Sequence, residues 1–378
     1  MKVMLVSLYH VEYAVELANA LAEFDHVHLI LKEDRVENTI GQKSFHLLSL
    51  NVSWTLLPIR SLKHPSTLYS LLIIIRKFKK LKPDIVHIQE CNNILNLFFL
   101  ILGFKKNVVT VHDVVLHPGS EVSSNKRWKL MFINLLRRYV YQNIIVHGEK
   151  LKKLLLKHYR NQADNVFVIP HGSLCSFRVK GQVSINEEPF TVLFFGRIQE
   201  YKGLKYLIQA EPIVSKELPE FKIIIAGQGQ DLDALKPNLM ENRHLEVHDR
   251  FIPNDEVSIF FQRTVVVVLP YIEASQSGVV AMAFAFGKPV IVTQVGSIAE
   301  MVEHNVSGII IPPKNSKALA KAIIDILKSP EKRKVMSQNA LMASKTRFNW
   351  RHITTLTKNV YSCALSKKSY NETDILCR

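Results

Sequence analysis

The amino-acid sequence predicts an α/β protein with two doubly wound domains of similar size and a cleft between them. Three observations favour this fold class. The chain has 378 residues, of which 47% are hydrophobic, so it is long enough for more than one buried core. Short runs rich in Val, Ile and Leu alternate with helical segments along the chain. These runs lack strict polar alternation, which is typical of parallel strands that are covered on both faces.

The first predicted domain, residues 1–180, contains strand-like runs in the order KVMLVSL, HVHLIL, IVHI, NVVTVH, IIVH and VFVIP. The strand pattern is weakest between Ser173 and Pro189, so we place the linker there. The second domain, residues 185–350, repeats the alternation with TVLFFG, KIIIAG, LEVHDRF, TVVVVLP, PVIVT and GIIIP. Residues 351–378 predict a helix that packs across the domains, followed by a tail. Ligands are expected at the carboxyl ends of the strands that face the cleft.

Positive charge is concentrated in the first half. The formal net charge is +16, and residues 1–180 hold 25 Lys and Arg against 13 Asp and Glu, which is +12 and leaves +4 for the rest. Basic residues lie beside Leu, Trp and Tyr at 76–82, 126–129, 137–138 and 149–157. Such patches suit an anionic membrane surface, and the alternative for each is a solvated helix face.

The sequence predicts a protein of the reducing cytoplasm. The N-terminal apolar run has only about six residues, and the run at 94–104 is about half of the ~20 residues that a spanning helix needs. A buried helix is expected at 94–104, with contact to a membrane interface left open. Cys91, Cys175, Cys363 and Cys377 form no CxxC pair, so neither a zinc site nor a disulfide framework is indicated.

An anion site is predicted where the first strand of the second domain meets a helix, in TVLFFGRIQEYKGLKYLIQA at 191–210. Gly196 and Arg197 follow the strand, and Lys202 and Gly203 precede a helix that begins near Leu204. A helix N-terminus offers unpaired N–H groups and partial positive charge, glycine permits close backbone approach, and two cations complete a site for a diphosphate. An ordinary turn with two solvated cations is the alternative.

A second candidate site lies in PYIEASQSGVVAMAFAFGKPVIVTQVGSIAEMV, residues 270–302. The helix in this segment is apolar all round and must be buried, with Ser275 as its expected cap. Glu273 is placed to accept hydrogen bonds from sugar hydroxyls, or it merely complements the helix dipole. The backbone N–H groups of Ser277, Gly278 and Val279 are expected to hold a phosphate at this helix end.

The order of these motifs resembles the retaining glycosyltransferase family 4, which has the GT-B fold of two Rossmann-like domains. The resemblance covers nearly all of the second half: G-R-x(4)-K-G, I-A-G-x-G, a Glu-led loop into A-x-x-x-G-K-P-V, V-G-S-I-x-E-M-V and S-G-I-I-I-P-P. PDIVHIQ, VVTVHD, IIVHGEKLKKLL and VIPHG agree more loosely in the first half. The resemblance implies transfer of a sugar from a nucleotide-sugar donor, held mainly by the second domain, to an acceptor held mainly by the first.

The resemblance also implies roles for individual residues. Arg197 and Lys202 would bind the donor diphosphate and stabilise charge on the leaving nucleotide, Glu273 would contact the donor sugar, and His112 would lie near the transferred sugar. The further substrate-binding candidates are Gly196, Gly227, Gly229, Gln276, Ser277, Gly278, Val279, Glu300, Tyr9 and His10. No side-chain nucleophile is nominated. No cofactor or metal is expected, because the DLD string at 231–233 opens a predicted helix and suits its dipole.

Two departures from the family pattern stand out. Where family members commonly carry a second glutamate that binds the nucleotide ribose, this chain has Ala281 or Met282, and it resembles a subset with an A-S-Q-S-G-V donor loop. The first strand is followed by SLYHVEYAVEL, without the glycine-rich loop of many relatives, so Tyr9 and His10 stand where that loop would lie.

The predicted function is a hexosyltransferase, peripheral on the inner face of the cell membrane, that extends a saccharide or polyprenyl-linked acceptor in capsule, exopolysaccharide or O-antigen synthesis. Three alternatives stay open. A sugar-nucleotide epimerase with the same fold would convert the donor without an acceptor. A nicotinamide-dependent oxidoreductase would need G-x-G-x-x-G after a strand, which AGQGQD lacks. A nucleic-acid-binding protein would explain the basic half, but no recognition motif accompanies the charge.

Overall fold

The computed structural model describes residues 1–39, 48–60, 64–90, 107–114, 135, 141–158, 165–173, 185–232 and 242–366. They form two compact units: the first falls within 1–114, 121–169 and 350–378, and the second within 170–349. The predictions for Cys91, Cys175, Cys377, residues 94–104, 126–129 and 137–138, Asp233, most of the linker and the tail lie outside the described residues.

Each unit is built on one parallel sheet, as predicted. Within the described ranges, the first sheet has seven strands in the order β3-β2-β1-β4-β5-β6-β7, and the second has six in the order β10-β9-β8-β11-β12-β13. The strands are β1 (Lys2–Ser7), β2 (His26–Lys32), β3 (Val52–Leu57), β4 (Ile85–Gln89), β5 (Asn107–Thr110), β6 (Ile144–Val146), β7 (Val166–Val168), β8 (Thr191–Phe195), β9 (Lys222–Ala226), β10 (Leu245–His248), β11 (Val266–Leu269), β12 (Val290–Thr293) and β13 (Gly308–Ile311).

Helices follow most strands. The described α-helices are α1 (Val11–Leu21), α2 (Glu33–Thr39), α3 (Pro65–Leu81), α4 (Glu149–His158), α5 (Leu204–Glu217), α6 (Val257–Arg263), α7 (Gly278–Ala285), α8 (Ser316–Leu327), α9 (Pro330–Lys345) and α10 (Trp350–Ser366). Short 3₁₀ turns occupy Glu200–Lys202 and Ala299–Met301. In the described part of the chain, no helix is both long enough and apolar enough to span a bilayer.

The core of the first unit lies on both faces of its sheet. Val3 and Leu5 of β1 point to one face, where α1 packs beside α10. Met4 and Val6 point to the other face, against Ile74 of α3. The helix that we expected to pack across the domains is α10, and its described residues belong to this unit, in whose core Trp350, Ile353 and Tyr361 are buried.

Strand order reverses once in each sheet, between β1 and β4 and between β8 and β11. Loops diverge at such a topological switch point and leave a crevice outside the carboxyl ends of the two strands. In the second unit, the two segments that leave this point are 196–203 and 270–278. These are the segments in which the sequence predicts the diphosphate and the donor sugar.

Candidate active site

Two glycines shape the turn after β8. Gly196 has φ +101°, and a Cβ there would lie 3.2 Å from Lys202 Nζ and 3.9 Å from Val279 Cγ2. Gly203 has φ +67°, and its Cβ would lie 2.2 Å from the carbonyl oxygen of Pro270. Both positions have a left-handed backbone that favours glycine, and Gly203 also has no room for a side chain. As a result, the Lys202 ammonium lies against the backbone of Gly196, close to the first turn of α7.

The loop after β11 is tied to the loop after β8. The Ile272 N–H donates to the carbonyl oxygen of Tyr201 at 2.7 Å. The Lys202 ammonium lies 5.4 Å from the centre of the Tyr271 ring, within the range of a cation–π contact. The two motifs, separated by some seventy residues of sequence, thus form one site.

The electrostatics of this site favour an anion. Lys202 is 9% exposed. Its pKa is lowered to about 7, first by burial and second by the charge of Arg197. No carboxylate is among the described groups that shift this pKa. A buried ammonium beside a guanidinium is destabilised in its charged form, and a bound anion relieves both the desolvation and the repulsion.

The N-terminus of α7 points to the same site, but its cap differs from the prediction. The expectation that Ser275 caps the helix is wrong, because the backbone is still extended at Ser277, with φ −144° and ψ 114°, and the helix begins at Gly278. Ser277 makes no side-chain cap; its hydroxyl is hydrogen-bonded to Tyr271. The Ser275 carbonyl instead accepts from the Ser297 N–H at 3.0 Å. The side chain of the N-cap residue Ser277 therefore does not cap the backbone N–H groups at this helix end.

Gln276, just before α7, has a polar atom without a hydrogen-bond partner in the described structure. Its Oε1 is buried and accepts no hydrogen bond within the described structure. A buried acceptor without a partner is costly, and such groups are rare unless a ligand or water completes them. Ala281 and Met282, where the family carries its second glutamate, are buried apolar residues of α7. Gln276 is therefore the polar side chain at this helix that a ligand would satisfy.

The remaining second-unit candidates lie around this centre. Glu273 is exposed in the loop after β11. Glu300 accepts from the Ser297 hydroxyl at 3.3 Å, and its backbone carbonyl accepts from Arg347 Nη2 at 2.8 Å. Gly227 and Gly229 bring the loop after β9 against the loop after β8, since a Cβ would lie 2.0 Å from Gly196 O and 1.8 Å from Ile198 O, respectively.

His112, in the first unit, is one member of a buried polar row at the carboxyl ends of the strands. Its Nε2 lies 2.8 Å from Gln89 Oε1, and its Nδ1 lies 3.1 Å from His147 Nε2. The His147 Nδ1–H donates to the carbonyl oxygen of Ile169 at 3.0 Å. Both nitrogens of His112 are thus engaged, so its position is set by neighbours on other strands.

The row continues to α10. Gln89 Nε2 lies 3.3 Å from His87 Nε2, whose Nδ1 lies 2.7 Å from the Tyr361 hydroxyl. Burial lowers the pKa of His87 to about 3, so the ring is neutral. His87, Gln89 and His147 were not predicted as site residues. The available signal was His87 and Gln89 at alternate positions of an otherwise apolar run, and His147 directly after the apolar run at 144–146.

The predicted acceptor residues lie next to His112. The His10 ring stacks on the His112 ring with centroids 3.8 Å apart, and Tyr9 lies edge-on to His10 at 5.1 Å. The Arg35 guanidinium lies 4.5 Å from the centre of the Tyr9 ring. The structure therefore brings Tyr9, His10 and His112 together at the β1 and β4 switch point of the first unit.

Two family models match the chain. The model described as glycosyl transferases group 1 matches residues 177–342, which contain the cation pair and α7. The model of Glycosyltransferase Family 4 matches residues 11–173. Together they cover most of the chain. These two domains identify the protein as a glycosyltransferase. Among curated relatives, an uncharacterized glycosyltransferase of Methanocaldococcus jannaschii is 27% identical over 274 residues, which are 68% of this chain and 69% of the relative.

Solved structures of the same fold confirm the GT-B prediction. Sucrose-phosphate synthase from Thermosynechococcus elongatus superposes with a TM-score of 0.74 at 17% identity, covering 97% of this chain and 100% of that one. HepE from Anabaena, in complex with UDP and glucose, superposes with a TM-score of 0.71 at 17% identity, covering 96% and 100%. At these identities the likeness establishes the fold of this glycosyltransferase.

Proposed function

We propose that this glycosyltransferase moves a hexosyl group from a nucleotide-sugar donor to a saccharide or polyprenyl-linked acceptor with retention of anomeric configuration. The observation that carries the proposal is the buried ammonium of Lys202, which lies beside Arg197 and near the first turn of α7 at a switch point. An ammonium, a guanidinium and a helix N-terminus together match the charge of a diphosphate.

Stabilisation of the leaving group is the main chemical task that we assign to the second unit. Cleavage of the glycosidic bond creates an oxocarbenium-like sugar and adds negative charge to the departing nucleotide. Lys202 and Arg197 bind that charge. Because the charge grows in the transition state, the two side chains stabilise the transition state more than the ground state and so lower the barrier. No protein nucleophile is invoked: the acceptor hydroxyl attacks on the face from which the phosphate leaves, and that phosphate receives the proton.

Recognition of the donor is assigned to the loop after β11. Glu273 and Gln276 bind hydroxyl groups of the donor. In the complex, Gln276 Oε1 accepts a hydrogen bond that it lacks in the described structure. Ser277, Gly278 and Val279 offer backbone N–H groups, and Gly196, Gly227 and Gly229 allow the loops to pack closely. Glu300 is assigned to the part of the site that binds the nucleotide. The A-S-Q-S-G-V loop is part of this proposal.

The acceptor is assigned to the first unit, at Tyr9 and His10. His112 is held at both ring nitrogens and stacked on His10, so in this proposal it fixes the orientation of His10 and lies beside the transferred sugar.

The reaction is proposed to need no metal or other cofactor. The biological setting that we propose is surface-polysaccharide synthesis on the cytoplasmic face of the membrane, supported by the basic first half of the chain.

A ligand panel tests the donor. UDP, GDP, ADP and NAD are added to the protein and the melting temperature is measured, since a ligand at 100 times its Kd stabilises by about 2.7 kcal/mol. UDP is the first choice, because the similar structure of HepE holds it. A shift with NAD alone would contradict the proposal.

Turnover tests the reaction itself. With a UDP-sugar and a polyprenyl-linked saccharide, we expect a glycosylated lipid with the anomeric configuration of the donor, measured by NMR. Lys202→Ala should reduce kcat/KM by an amount equivalent to about 2 to 4 kcal/mol. Conversion of the donor to an epimer without acceptor would overturn transfer in favour of epimerisation.

A further inference from the structure

Helix α3 in the first unit presents apolar side chains to solvent. Leu68, Tyr69 and Leu72 are 65%, 55% and 46% exposed, respectively. The buried residues of the helix are instead Thr67, Ser70 and Ile74, of which two are small and polar. Leu71, Ile73 and Ile74 pack against the core of the sheet, so α3 carries apolar side chains on its solvent face as well as on its core face, unlike an ordinary surface helix.

The same face becomes basic in the C-terminal half of α3. Arg76, Lys79 and Lys80 are exposed. Each lies three or four residues after a member of the exposed series, so the cations continue the stripe that begins with Leu68. No Asp or Glu occurs between residues 65 and 81. We call these six residues, Leu68, Tyr69, Leu72, Arg76, Lys79 and Lys80, the α3 stripe.

A bilayer surface with anionic lipid fits this arrangement. Leucine and tyrosine side chains partition into the boundary between head groups and acyl chains, while lysine and arginine contact lipid phosphates. The first 180 residues carry a net charge of +12, which adds long-range attraction to such a surface. Because α3 rises about 1.5 Å per residue, the apolar and basic parts are centred roughly 13 Å apart along its axis.

A protein partner fits less well. An interface that buries the α3 stripe would have to supply carboxylates for three cations, because an unpaired buried charge is strongly destabilising. A second copy of this chain, packed stripe to stripe about a two-fold axis, brings more cations and no acid from α3. Charge complementarity therefore selects an anionic membrane over self-association.

We infer that the α3 stripe docks the protein on the surface of a bilayer that contains anionic lipid. Leu68, Tyr69 and Leu72 enter the interface, and Arg76, Lys79 and Lys80 lie at the level of the phosphates. The inference rests on the proposed function, because a polyprenyl-linked acceptor is presented at such a surface, and it deepens that function by naming the docking surface.

Vesicle flotation of the full-length protein tests the inference. Phosphatidylcholine vesicles with and without phosphatidylglycerol are compared, with the wild type expected to float only with the anionic vesicles. Arg76→Gln with Lys79→Gln and Lys80→Gln should lower the partition coefficient about a hundredfold, since each cation near an anionic surface contributes about fivefold. Leu68→Ser with Leu72→Ser should lower it at least tenfold at unchanged charge.

The matched control lies in the second unit. Helix α9 also exposes three cations, Lys332, Lys334 and Lys345, together with Val335 and Met342. Lys332→Gln with Lys334→Gln and Lys345→Gln changes net charge by the same amount and should reduce flotation less than threefold. An equal loss of flotation in this control would overturn the inference, because net charge rather than the α3 stripe would then account for membrane binding.

Four further results separate the possibilities. Unchanged flotation of the α3 variants would overturn the inference, as would a wild-type dimer that the Leu68→Ser and Leu72→Ser variant converts to monomer. Melting-temperature shifts with UDP are measured on the same preparations. Lost flotation with an intact UDP shift supports docking by α3, whereas flotation without any nucleotide response would leave the surface standing and remove the proposed transferase.

Discussion

At the residue scale, the fold alters the acid–base chemistry of Lys202. Burial and the charge of Arg197 lower its pKa to about 7. In the proposed site the protonated form binds the diphosphate, so nucleotide affinity should depend on a proton that the free protein loses as the pH rises through this value. We therefore expect nucleotide binding and proton uptake to be coupled at this residue.

We predict that the Kd of UDP rises with pH above about 7, by up to tenfold per pH unit until the pKa of the bound state is reached. The charge of UDP itself is nearly constant there, because its last phosphate ionisation has a pKa near 6. Calorimetric titration between pH 6 and 9 measures the dependence. Lys202→Gln should abolish the slope, and a slope that survives in this variant would assign the effect to another group.

Gln276 provides a second prediction at this scale. Its Oε1 is buried without a partner, and leaving such an acceptor unsatisfied costs about 1 to 3 kcal/mol. Gln276→Leu removes that atom at similar volume, so thermal stability should hold or rise while the KM for donor increases. Loss of both stability and donor binding would show that Gln276 has a structural role.

At the element scale, the approach of the β8 and β11 loops depends on Gly203. Its φ of +67° and the carbonyl of Pro270, which lies 2.2 Å from the position of a Cβ, both oppose any side chain. Gly203→Ala should cost about 2 to 5 kcal/mol, from backbone strain and overpacking together. Chemical denaturation measures the cost, and UDP binding should weaken because the Lys202 turn shifts.

Gly287→Ala is the matched control for that substitution. Gly287 has a φ of +65°, and the nearest atom to its Cβ position is 3.5 Å away, so only the backbone cost applies. The variant should lose about 1 kcal/mol and keep UDP affinity. Equal losses in both variants would mean that the contact with Pro270 does not matter.

Elements with buried apolar residues on both faces could be predicted from the sequence, and those that depend on partners elsewhere could not. TVLFFG and PVIVT become β8 and β12, while β3 was missed, because this edge strand leaves Trp54 exposed and carries Ser53 and Thr55. These two residues bond to His28 on β2, at 2.7 and 2.9 Å. Such hydrogen bonds between strands leave no local signal in the sequence.

The candidate site was predictable to a similar extent. Gly196, Arg197, Lys202 and Gly203 follow a recognisable strand-to-helix order, and the structure places Lys202 and Gly203 against residues 270–271 after β11. The cap at Ser275 was predicted wrongly, because the start of an apolar helix has no pattern that separates residue 275 from residue 277. The bonds from His112 to Gln89 and His147 join three strands, so only the fold could reveal them.

At the scale of the whole molecule, the chain returns to its first unit at Trp350. Trp350 packs edge-on against Tyr13 of α1 with ring centroids 5.1 Å apart, and it begins a helix that is buried in that core. The residues proposed to bind the donor, by contrast, belong to the second unit. We therefore expect stability of the first unit and nucleotide binding by the second to be separable by mutation.

Trp350→Ala should destabilise the protein by about 3 to 5 kcal/mol, the usual cost of removing a buried aromatic side chain, with little change in the Kd of UDP. Denaturant unfolding and calorimetry measure the two quantities. Trp54→Ala, at a site that is 44% exposed on an edge strand, is the control and should cost less than about 1 kcal/mol. A large loss of UDP affinity in Trp350→Ala would contradict separable units.

The central claim is that Arg197 and Lys202 hold the diphosphate of a nucleotide sugar. Its most direct test is calorimetric titration of the wild type, Arg197→Ala and Lys202→Ala with whichever of UDP, GDP and ADP binds most tightly, and with the corresponding nucleoside. We predict that each variant binds the nucleotide about 10- to 100-fold more weakly, while affinity for the nucleoside is unchanged. Equal nucleotide affinity in all three proteins would contradict the claim.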